Sequence, residues 1–238
     1  MKKLFLVDAS NMFFRAYFAI PHMNAKDGLP TNALYGFLSM SVKLLRDLKP
    51  DYLVYCFDRK EPSFRNELYP EYKANRTEMP EDLVPQMEYI KKIPELLGIK
   101  CIEKSGLEAD DLIGILAKQA EKEEAIEVVI VSGDKDFAQL VNSKVSLYDS
   151  MKDKSFKEED VKAKWGVKPS QFIDYLALVG DSSDNIPGVR GVGPKTAEKL
   201  LKQYNDLDEI YKNLEVIKPD GLKKKLTENK EMAYLSQK

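Results

Sequence analysis

Four short apolar runs, each followed by a stretch with helical spacing, limit how this 238-residue chain can fold more than any other feature. Runs of this kind, bounded by charged or turn-forming residues, are typical of strands that are buried on both faces. They are "KLFLVD" (3–8), "YLVYCFD" (52–58), "KCIE" (100–103) and "EVVIVSGDKD" (127–136). Helical patterns follow at 10–19, 31–48 and 81–98, after Glu108, and briefly after Asp136. The alternation predicts an α/β fold with a mostly parallel central sheet flanked by helices.

The chain after about residue 158 has no strand pattern and is predicted to be helical, with the turn-rich "GDSSDNIPGVRGVGPKT" in its middle. We therefore predict two parts. Residues 1–180 form an α/β core, and residues 181–238 form a smaller helical subdomain.

Its single histidine, His22, and its two cysteines, Cys56 and Cys101, narrow the chemistry that the chain can perform. These residues are too few for a His-based catalytic apparatus or a complete zinc site. Two thiols also favour a reducing cytoplasm over a disulfide framework. No apolar run is long enough to span a bilayer, and the apolar start is too short for a signal-peptide core. Acid–base or metal chemistry must therefore use carboxylates.

Carboxylates follow every predicted strand, and ligands of open α/β sheets bind beyond the carboxyl ends of strands. Those at strand ends are Asp8, Asp58, Asp134 and Asp136; Glu108, Asp110 and Asp111 begin the helix after the third run; Asp181 and Asp184 follow the apolar "YLALV". Carboxylates that converge without lysine partners imply hard divalent cations. Ligation by oxygen alone suits Mg²⁺ or Mn²⁺.

A simpler explanation is open for each cluster taken alone. The helix dipole favours acids in a first turn by about 0.3–1 kcal/mol each, which explains one or two acids of "GLEADDLIG" as well as a metal does. Two other metal motifs are excluded. "DASNM" lacks the second serine of a D-x-S-x-S adhesion site, and the residues after Asp8 do not form the D-x-D of haloacid-dehalogenase phosphatases.

Basic residues concentrate near the C-terminal end, although the net charge is −2. Residues 185–238 carry 11 Lys and Arg against 8 Asp and Glu, whereas residues 1–184 carry 26 against 31. Within the basic part, "NIPGVRGVGPKTAEKLL" looks like a helix-hairpin-helix motif, in which a glycine hairpin and helix-start amides bind a phosphate backbone without reading bases. A mere connection between helices is the alternative. The residues that this motif assigns to DNA are Gly188, Gly191, Gly193, Lys195, Thr196 and Lys199.

The segment "DRKEPSFRNELYPEYKANRTEMP" (58–80) is rich in charged and aromatic residues. Lys73 and Arg76 could stabilise a scissile phosphate near metal ions, and Tyr72 could stack on an unpaired base. Taken alone, the segment could equally be a solvated loop.

Together these motifs resemble the 5′-nuclease (flap endonuclease) family, which includes the N-terminal 5′→3′ exonuclease domain of bacterial DNA polymerase I. The family's patterns appear, in its order, as "LVDASNMFFRAYFA", "FDRKEPSFRNELYPEYKANR", "GLEADDLIG", "SGDKDFAQLV" and "GDSSDNIPGVRGVGPKTAEKLL". The resemblance covers essentially the whole chain. One departure is Ala9, where relatives often have glycine, next to the expected ligand Asp8.

The resemblance implies a PIN-like 5′-nuclease fold and a role for each matching residue. Its metal-binding acids correspond to Asp8, Asp58, Glu108, Asp110, Asp111, Asp134, Asp136, Asp181 and Asp184. Arg15, Lys73 and Arg76 match its phosphate-contacting residues, and Tyr72 matches its base-stacking tyrosine. The hairpin within residues 185–203 matches the element that grips downstream duplex, in some relatives with K⁺. The mobile arch of the family falls at about residues 60–85.

The implied activity is divalent-metal hydrolysis of DNA phosphodiesters near single-strand/duplex junctions, with Lys73, Arg76, Asp110 and Asp134 as catalytic residues. The implied substrates are DNA 5′ flaps, nicks or ends, with RNA primers left open, in replication and repair. We expect a monomeric, bacterial, nucleoid-associated protein, either excised from a longer polymerase or standing alone. Two alternatives stay open: a non-catalytic, structure-selective DNA-binding module, and a PIN-type ribonuclease.

Overall fold

The computed structural model describes residues 1–238 and divides them into two compact units. Residues 1–64 and 77–157 form the first, which we call the sheet unit. Residues 65–76 and 158–238 form the second, which we call the helical unit. The division comes at residue 158 instead of the expected 181, because the helices between these positions pack with the C-terminal helices and not with the sheet.

A six-stranded sheet forms the centre of the sheet unit, in the order β3-β2-β1-β4-β5-β6. The strands are β1 (Lys2–Asp8), β2 (Tyr52–Cys56), β3 (Lys100–Ile102), β4 (Ile126–Val131), β5 (Val145–Asp149) and β6 (Lys154–Phe156). The first five pair in parallel, and β6 pairs antiparallel with β5 at the edge. The predicted fold class is therefore confirmed.

The helices of the chain are numbered from the N-terminus. The first five are α1 (Ala9–Ala19), α2 (Asn32–Lys43), α3 (Phe64–Leu68), α4 (Val84–Leu96) and α5 (Ala109–Ala120). A π-helical turn at Leu44–Leu48 extends α2, and a 3₁₀ helix spans Asp136–Leu140. The predicted helices at 10–19, 31–48, 81–98, after Glu108 and after Asp136 are all present.

The core of the sheet unit lies between the sheet and helices α1, α2 and α4. Phe37 of α2 meets Tyr55 of β2 edge-to-face, with ring centroids 5.6 Å apart. The fully buried Tyr55 hydroxyl donates to Ser41 Oγ at 2.9 Å, and Ser41 Oγ donates to the Phe37 carbonyl at 2.8 Å. Each polar group that this packing buries therefore keeps a hydrogen-bond partner, which avoids a desolvation penalty of about 1–3 kcal/mol per group.

The helical unit contains α6 (Glu158–Trp165), α7 (Phe172–Val179), α8 (Pro194–Tyr204), α9 (Leu207–Lys212), α10 (Asp220–Glu228) and α11 (Lys230–Gln237). Helix α7 is its centre and packs against α8 and α11. Phe172 and Leu178 of α7 are completely buried, as is Leu201 of α8 to within 1%. No helix of either unit is long and apolar enough to cross a membrane.

Candidate active site

The carboxyl ends of β2, β1 and β4 form the edge of the sheet unit where the predicted acids collect. The strand order runs outward from β1 through β2 to β3 on one side, and through β4 to β5 on the other. A parallel sheet built this way has its switch point between β1 and β4, where adjacent loops diverge and leave a crevice for a ligand. Asp8 ends β1, and Asp134 follows β4 after a two-residue turn.

Asp8 is the most buried acid of this edge, with 8% of its surface exposed. Its Oδ1 accepts the N–H of Asn11 at 2.9 Å and caps α1, while its Oδ2 accepts the hydroxyl of Ser132 at 3.0 Å. Burial raises the pKa of Asp8 to about 7, and the negative charges of Asp58 and Asp134 push the pKa in the same direction. Three acids from three neighbouring strand ends therefore share one electrostatic environment.

Asp58 is connected to the start of α5. Its Oδ1 accepts the N–H of Ala109, the first residue of that helix, at 2.7 Å. Its own N–H donates to Ser10 Oγ at 3.2 Å. A carboxylate from the end of β2 is thus fixed by the positive end of the α5 dipole.

The cluster Glu108, Asp110 and Asp111 is partly explained by capping. The N–H of Glu108 donates to Asp111 Oδ2 at 2.9 Å, as one half of a capping box. Asp110 Oδ1 accepts the N–H of Asp111 at 2.7 Å, and Glu108 accepts the hydroxyl of Ser63 at 3.1 Å. Helix capping therefore gives Asp111 a structural role, because its carboxylate accepts a backbone N–H at the helix start.

The loop after β4 holds Asp134 by a series of short hydrogen bonds. The N–H of Asp134 donates to Ser132 Oγ at 3.0 Å, and Asp134 Oδ1 accepts the N–H of Asp136 at 3.0 Å. The N–H of Gly133 donates to Asn11 Oδ1 at 3.0 Å. Because Ser132 also donates to Asp8, one hydroxyl connects the acids at the ends of β1 and β4.

Arg15 supports this loop from α1. Its guanidinium lies 2.9 Å from the carboxylate of Asp149, which is 4% exposed and ends β5. It also lies directly on Gly133, where an added Cβ would come within 2.0 Å of Nη1. The resemblance assigns Arg15 to a DNA phosphate, and that role stays a prediction. In this structure Arg15 binds Asp149.

The donor set of the sheet unit suits hard cations, because its acids offer only oxygen. The structure contains no group of three or more His, Cys, Asp or Glu side chains arranged to hold a metal ion. The match between these acids and a divalent cation therefore rests on the chemistry of their oxygen donors. Partly buried carboxylates that repel one another are stabilised by any divalent ion that they share. Lysine ammonium groups are not among the causes of the pKa shift of Asp8, so they do not offset its negative charge.

In the helical unit Asp184 is the centre of a second cluster. Its carboxylate accepts the hydroxyl of Tyr72 at 3.3 Å and pairs with Arg76, and Lys73 Nζ lies 4.0 Å away. The backbone is fixed as well, since the N–H of Lys73 donates to the carbonyl of Asp184 at 2.9 Å. The three predicted substrate residues of segment 65–76 are thus brought together by one predicted metal ligand.

Tyr72 is 6% exposed in this arrangement. Lys73 Nζ lies 4.8 Å from its ring centroid, and the guanidinium of Arg65 lies 6.0 Å from it. Stacking on an unpaired base requires one of these cations to move. That role also stays a prediction.

The glycine hairpin follows Asp181, whose N–H and C=O exchange hydrogen bonds with Ile186 at 2.8 and 2.7 Å. Its glycines occupy different environments. An added Cβ at Gly188 would lie 2.3 Å from the nitrogen of Gly180, so this glycine permits close backbone packing. Lys225 covers Gly191 and donates to its carbonyl at 3.1 Å, whereas Gly193 faces open space at the start of α8.

Lys195, Thr196 and Lys199 all lie on α8, with Lys195 and Thr196 in its first turn. Pro194 is the first residue of the helix. The assignment of these residues to DNA is a prediction that the geometry leaves in place.

Fold and site together define a class: a doubly wound α/β protein with an acidic rim at its switch point, joined to a helical unit with a glycine hairpin. Comparison with known families makes this specific. Residues 3–166 match the model of the 5′-3′ exonuclease N-terminal resolvase-like domain, and residues 167–238 match that of the 5′-3′ exonuclease C-terminal SAM fold. The chain belongs to the 5′-3′ exonuclease family, which confirms the resemblance seen in the sequence.

Two relatives illustrate the match. The chain is 44% identical to a 5′-3′ exonuclease of Aquifex aeolicus, over 90% of this chain and 74% of that protein. It is 47% identical to DNA polymerase I of Rhizobium leguminosarum, over 99% of this chain and 24% of that protein. The chain thus spans about a quarter of the DNA polymerase I relatives that it matches.

The fold also matches a solved structure of the T5 D15 flap endonuclease, described as a pseudo-enzyme–product complex with DNA and metal ions. The TM-score is 0.83 at 26% identity, covering 99% of this chain and 88% of that one. The catalytic core of Rad2 in complex with DNA substrate shares the fold, with a TM-score of 0.60 at 19% identity.

Several residues of the site were not predicted from the sequence: Ser10, Asn11, Ser132, Gly133 and Asp149. They support the acids through hydrogen bonds and close packing. Asn11 and Ser132 lie within "DASN" and "SGDKD", so their nearness to the acids was a usable signal. Asp149 carried no such signal, because only the position of β5 brings it to Arg15.

Proposed function

We propose that the chain is a structure-specific 5′ nuclease, acting as a 5′→3′ exonuclease and flap endonuclease that hydrolyses DNA phosphodiesters near single-strand/duplex junctions. The observation that carries the proposal is the convergence of Asp8, Asp58 and Asp134 at the β1/β4 switch point, where burial and mutual repulsion raise the pKa of Asp8. A protein that only binds DNA has no use for repelling acids beside a polyanion. Such acids are useful when divalent ions join them to the substrate phosphate.

The residues that hold the ions are Asp110, Asp111, Asp134 and Asp136, with Asp8, Asp58 and Glu108 binding directly or orienting water, and Asp181 and Asp184 as further ligands. Bound Mg²⁺ or Mn²⁺ would supply an activated water and neutralise the charge that develops on the phosphate. The chain's own part is to fix the acids. Ser132 holds Asp8 relative to Asp134, and the start of α5 holds Asp58.

On the substrate side, Lys73 and Arg76 bind the scissile phosphate, and Tyr72 stacks on an unpaired base. The hairpin and α8 bind the duplex backbone, with K⁺ as a further ligand of the hairpin. Recognition through backbone amides and lysines makes this binding independent of sequence and sensitive to salt. Part of the proposal is that the protein acts in the bacterial cytoplasm, at the nucleoid, as a monomer or as the first part of a polymerase chain.

A single-turnover assay on a nicked duplex with a 5′-labelled flap tests the proposal, with Mg²⁺ in one arm and EDTA in the other. We expect a short product, cut near the junction, in Mg²⁺ alone. Binding without cleavage in Mg²⁺ and in Mn²⁺ would support a binding module instead. Cleavage of single-stranded RNA in preference to the DNA flap would support the ribonuclease alternative.

A further inference from the structure

A cavity of about 380 Å³ in the helical unit lies where the end of α6 meets the start of α8. Helix α6 contributes its last turn, and α8 contributes the face that follows the hairpin. The charged and aromatic residues that line it are Lys162, Lys164, Trp165, Tyr175, Lys195, Glu198 and Lys202. Of these, only Lys195 belongs to the predicted DNA contacts.

The charge of this cavity favours an anion. Four of its lining residues are lysines and one is a carboxylate. That carboxylate, Glu198, pairs with Lys202 at 2.5 Å, one turn along the same helix. The lining therefore carries more lysines than acids, and Lys162, Lys164 and Lys195 reach it from two different helices.

Residue 166, directly after α6, lies close to the side chain of Glu198 on α8. Gly166 follows α6 with φ +75°, and an added Cβ would lie 2.3 Å from Cδ of Glu198. A side chain at residue 166 would displace the side chain of Glu198. Trp165 packs edge-to-face on the buried Phe172, with ring centroids 5.1 Å apart, and Lys164 Nζ lies 4.2 Å from its ring centroid. Trp165 thus gives the cavity an aromatic wall with a lysine ammonium group above it.

The cavity borders the end of the hairpin, because Pro194 and Lys195, the first two residues of α8 after Gly193, line the cavity. A duplex presents one phosphate per roughly 1.7 Å of helix axis, so a backbone that contacts the hairpin has further phosphates close by. Lysines fit them as point charges and read no sequence.

We propose that this cavity is a second phosphate-binding site, which takes the backbone of the same duplex that the hairpin binds and so lengthens the DNA footprint along α6. The inference rests on the proposed function for the presence of duplex DNA. It assigns Lys162, Lys164 and Trp165 to substrate binding, a role that neither the sequence motifs nor the hairpin gives them.

Trp165 is the only tryptophan of the chain, so fluorescence excited selectively at tryptophan reports on this cavity. Wild-type protein is titrated with flap substrates whose downstream duplex is lengthened in steps, in Ca²⁺ to prevent cleavage. We expect no fluorescence change with the shortest arm and a saturable change once the duplex reaches the cavity. The change should parallel the gain in affinity.

The variant K162Q/K164Q is compared with K218Q/K224Q, which removes the same charge from two exposed lysines. Lys218 lies just before α10 and Lys224 lies within it. Loss of two phosphate contacts should lower the slope of log affinity against log salt by about 1.8, and should weaken binding of the long-arm substrate by at least about tenfold at 0.1 M salt. The control pair should leave the slope within error of wild type. Thermal unfolding of all variants checks that they fold.

Three results together would overturn this inference and leave the proposed function standing. The wild-type protein would cut flaps in Mg²⁺, its Trp165 fluorescence would not change with duplex, and K162Q/K164Q would show the wild-type salt slope. A Trp165 signal that saturates with inorganic phosphate but not with duplex would also overturn it, in favour of a free-anion site. Absence of flap cleavage and of duplex binding in the wild type would instead contradict the proposed function itself.

Discussion

Arg15 and Asp149 form an ion pair of 2.9 Å that connects α1 to the end of β5 and supports the loop carrying Asp134. Asp149 is almost fully buried, and its carboxylate also accepts the backbone N–H groups of Met151 and Lys152. Arg15, which the family resemblance assigns to a DNA phosphate, thus has a structural partner. A structural role for Arg15 and a role in DNA binding predict different effects of substituting Asp149.

Removing one partner of this pair leaves the other charge poorly compensated. We expect Asp149→Asn to lower the free energy of unfolding by about 3 kcal/mol, since buried pairs cost about 3–5 kcal/mol to break and Arg15 keeps some contact with water. Urea unfolding measures the change. If Arg15 acts only on DNA, Asp149→Asn will leave stability nearly unchanged.

Gly133→Ala tests the contact between Arg15 and the acidic loop. The new methyl group would displace the guanidinium, so we expect a loss of about 1–3 kcal/mol and slower cleavage through a misplaced Asp134. Gly114→Ala is the matched control, because Gly114 lies within α5 with no atom within 4 Å of an added Cβ. The control should be neutral or stabilising by up to about 1 kcal/mol. In an Arg15→Ala background, Gly133→Ala should cost much less, and an equal cost there would exclude the contact.

Asp134→Asn tests the metal assignment. The variant keeps the size of the side chain and an oxygen to accept the N–H of Asp136, so the loop should remain folded. We expect single-turnover cleavage to fall at least about 100-fold, which corresponds to about 2.7 kcal/mol of transition-state stabilisation. Duplex affinity in EDTA should not fall. Cleavage at the wild-type rate would exclude Asp134 as a ligand.

Tyr72 has a hydroxyl that binds Asp184 and a ring that the resemblance assigns to base stacking, and two substitutions separate them. Tyr72→Phe removes one long hydrogen bond and should cost no more than about 1 kcal/mol of stability, with flap affinity unchanged. Tyr72→Ala should weaken binding of a flap substrate by about 1–3 kcal/mol and leave a flapless nicked duplex unaffected. An equal loss on both substrates would show that the ring has only a structural role.

Asp174 gives the helical unit a pH dependence. Burial is the main cause that raises its pKa, against hydrogen bonds from Gln237 and from the backbone of Leu207, and the nearby Asp206 and Asp208 raise it further. The folded pKa exceeds the unfolded one, so folding favours the protonated form. The free-energy cost of keeping an ionised Asp174 in the folded protein therefore grows as pH rises from about 3.9 through the folded pKa, and it is constant above that pKa.

Asp174→Asn should remove this pH-dependent cost, and the new side chain keeps an oxygen that accepts the hydrogen bond from Gln237. We expect its stability relative to wild type to increase with pH across that window and then to level off. Unfolding in urea between pH 4 and 8 measures the difference, with the exposed Asp220→Asn as control. A difference that does not vary with pH would contradict the assigned pKa shift.

The sequence by itself determined the succession of strands and helices along the chain up to β4, apart from the short helix α3. It also determined the helical C-terminal part, the acids at the strand ends and the family. These features are local: apolar runs, helical spacing and short motifs are fixed by residues that lie close together in the chain. The strands β5 and β6 were not predicted, because "VSLYD" and "KSF" interrupt their apolar residues with polar ones and form no continuous apolar run.

Only the tertiary structure decided which acids share one electrostatic environment and which side chains hold them in place. Ser132 links Asp8 to Asp134, and Arg15 meets Asp149, because the strand order places β4 between β1 and β5. It also decided that residues 65–76 belong with the helical unit, where Asp184 binds Tyr72 and Arg76. Contacts between residues more than a hundred positions apart depend on how the strands are ordered and the helices packed, and no local pattern records that order.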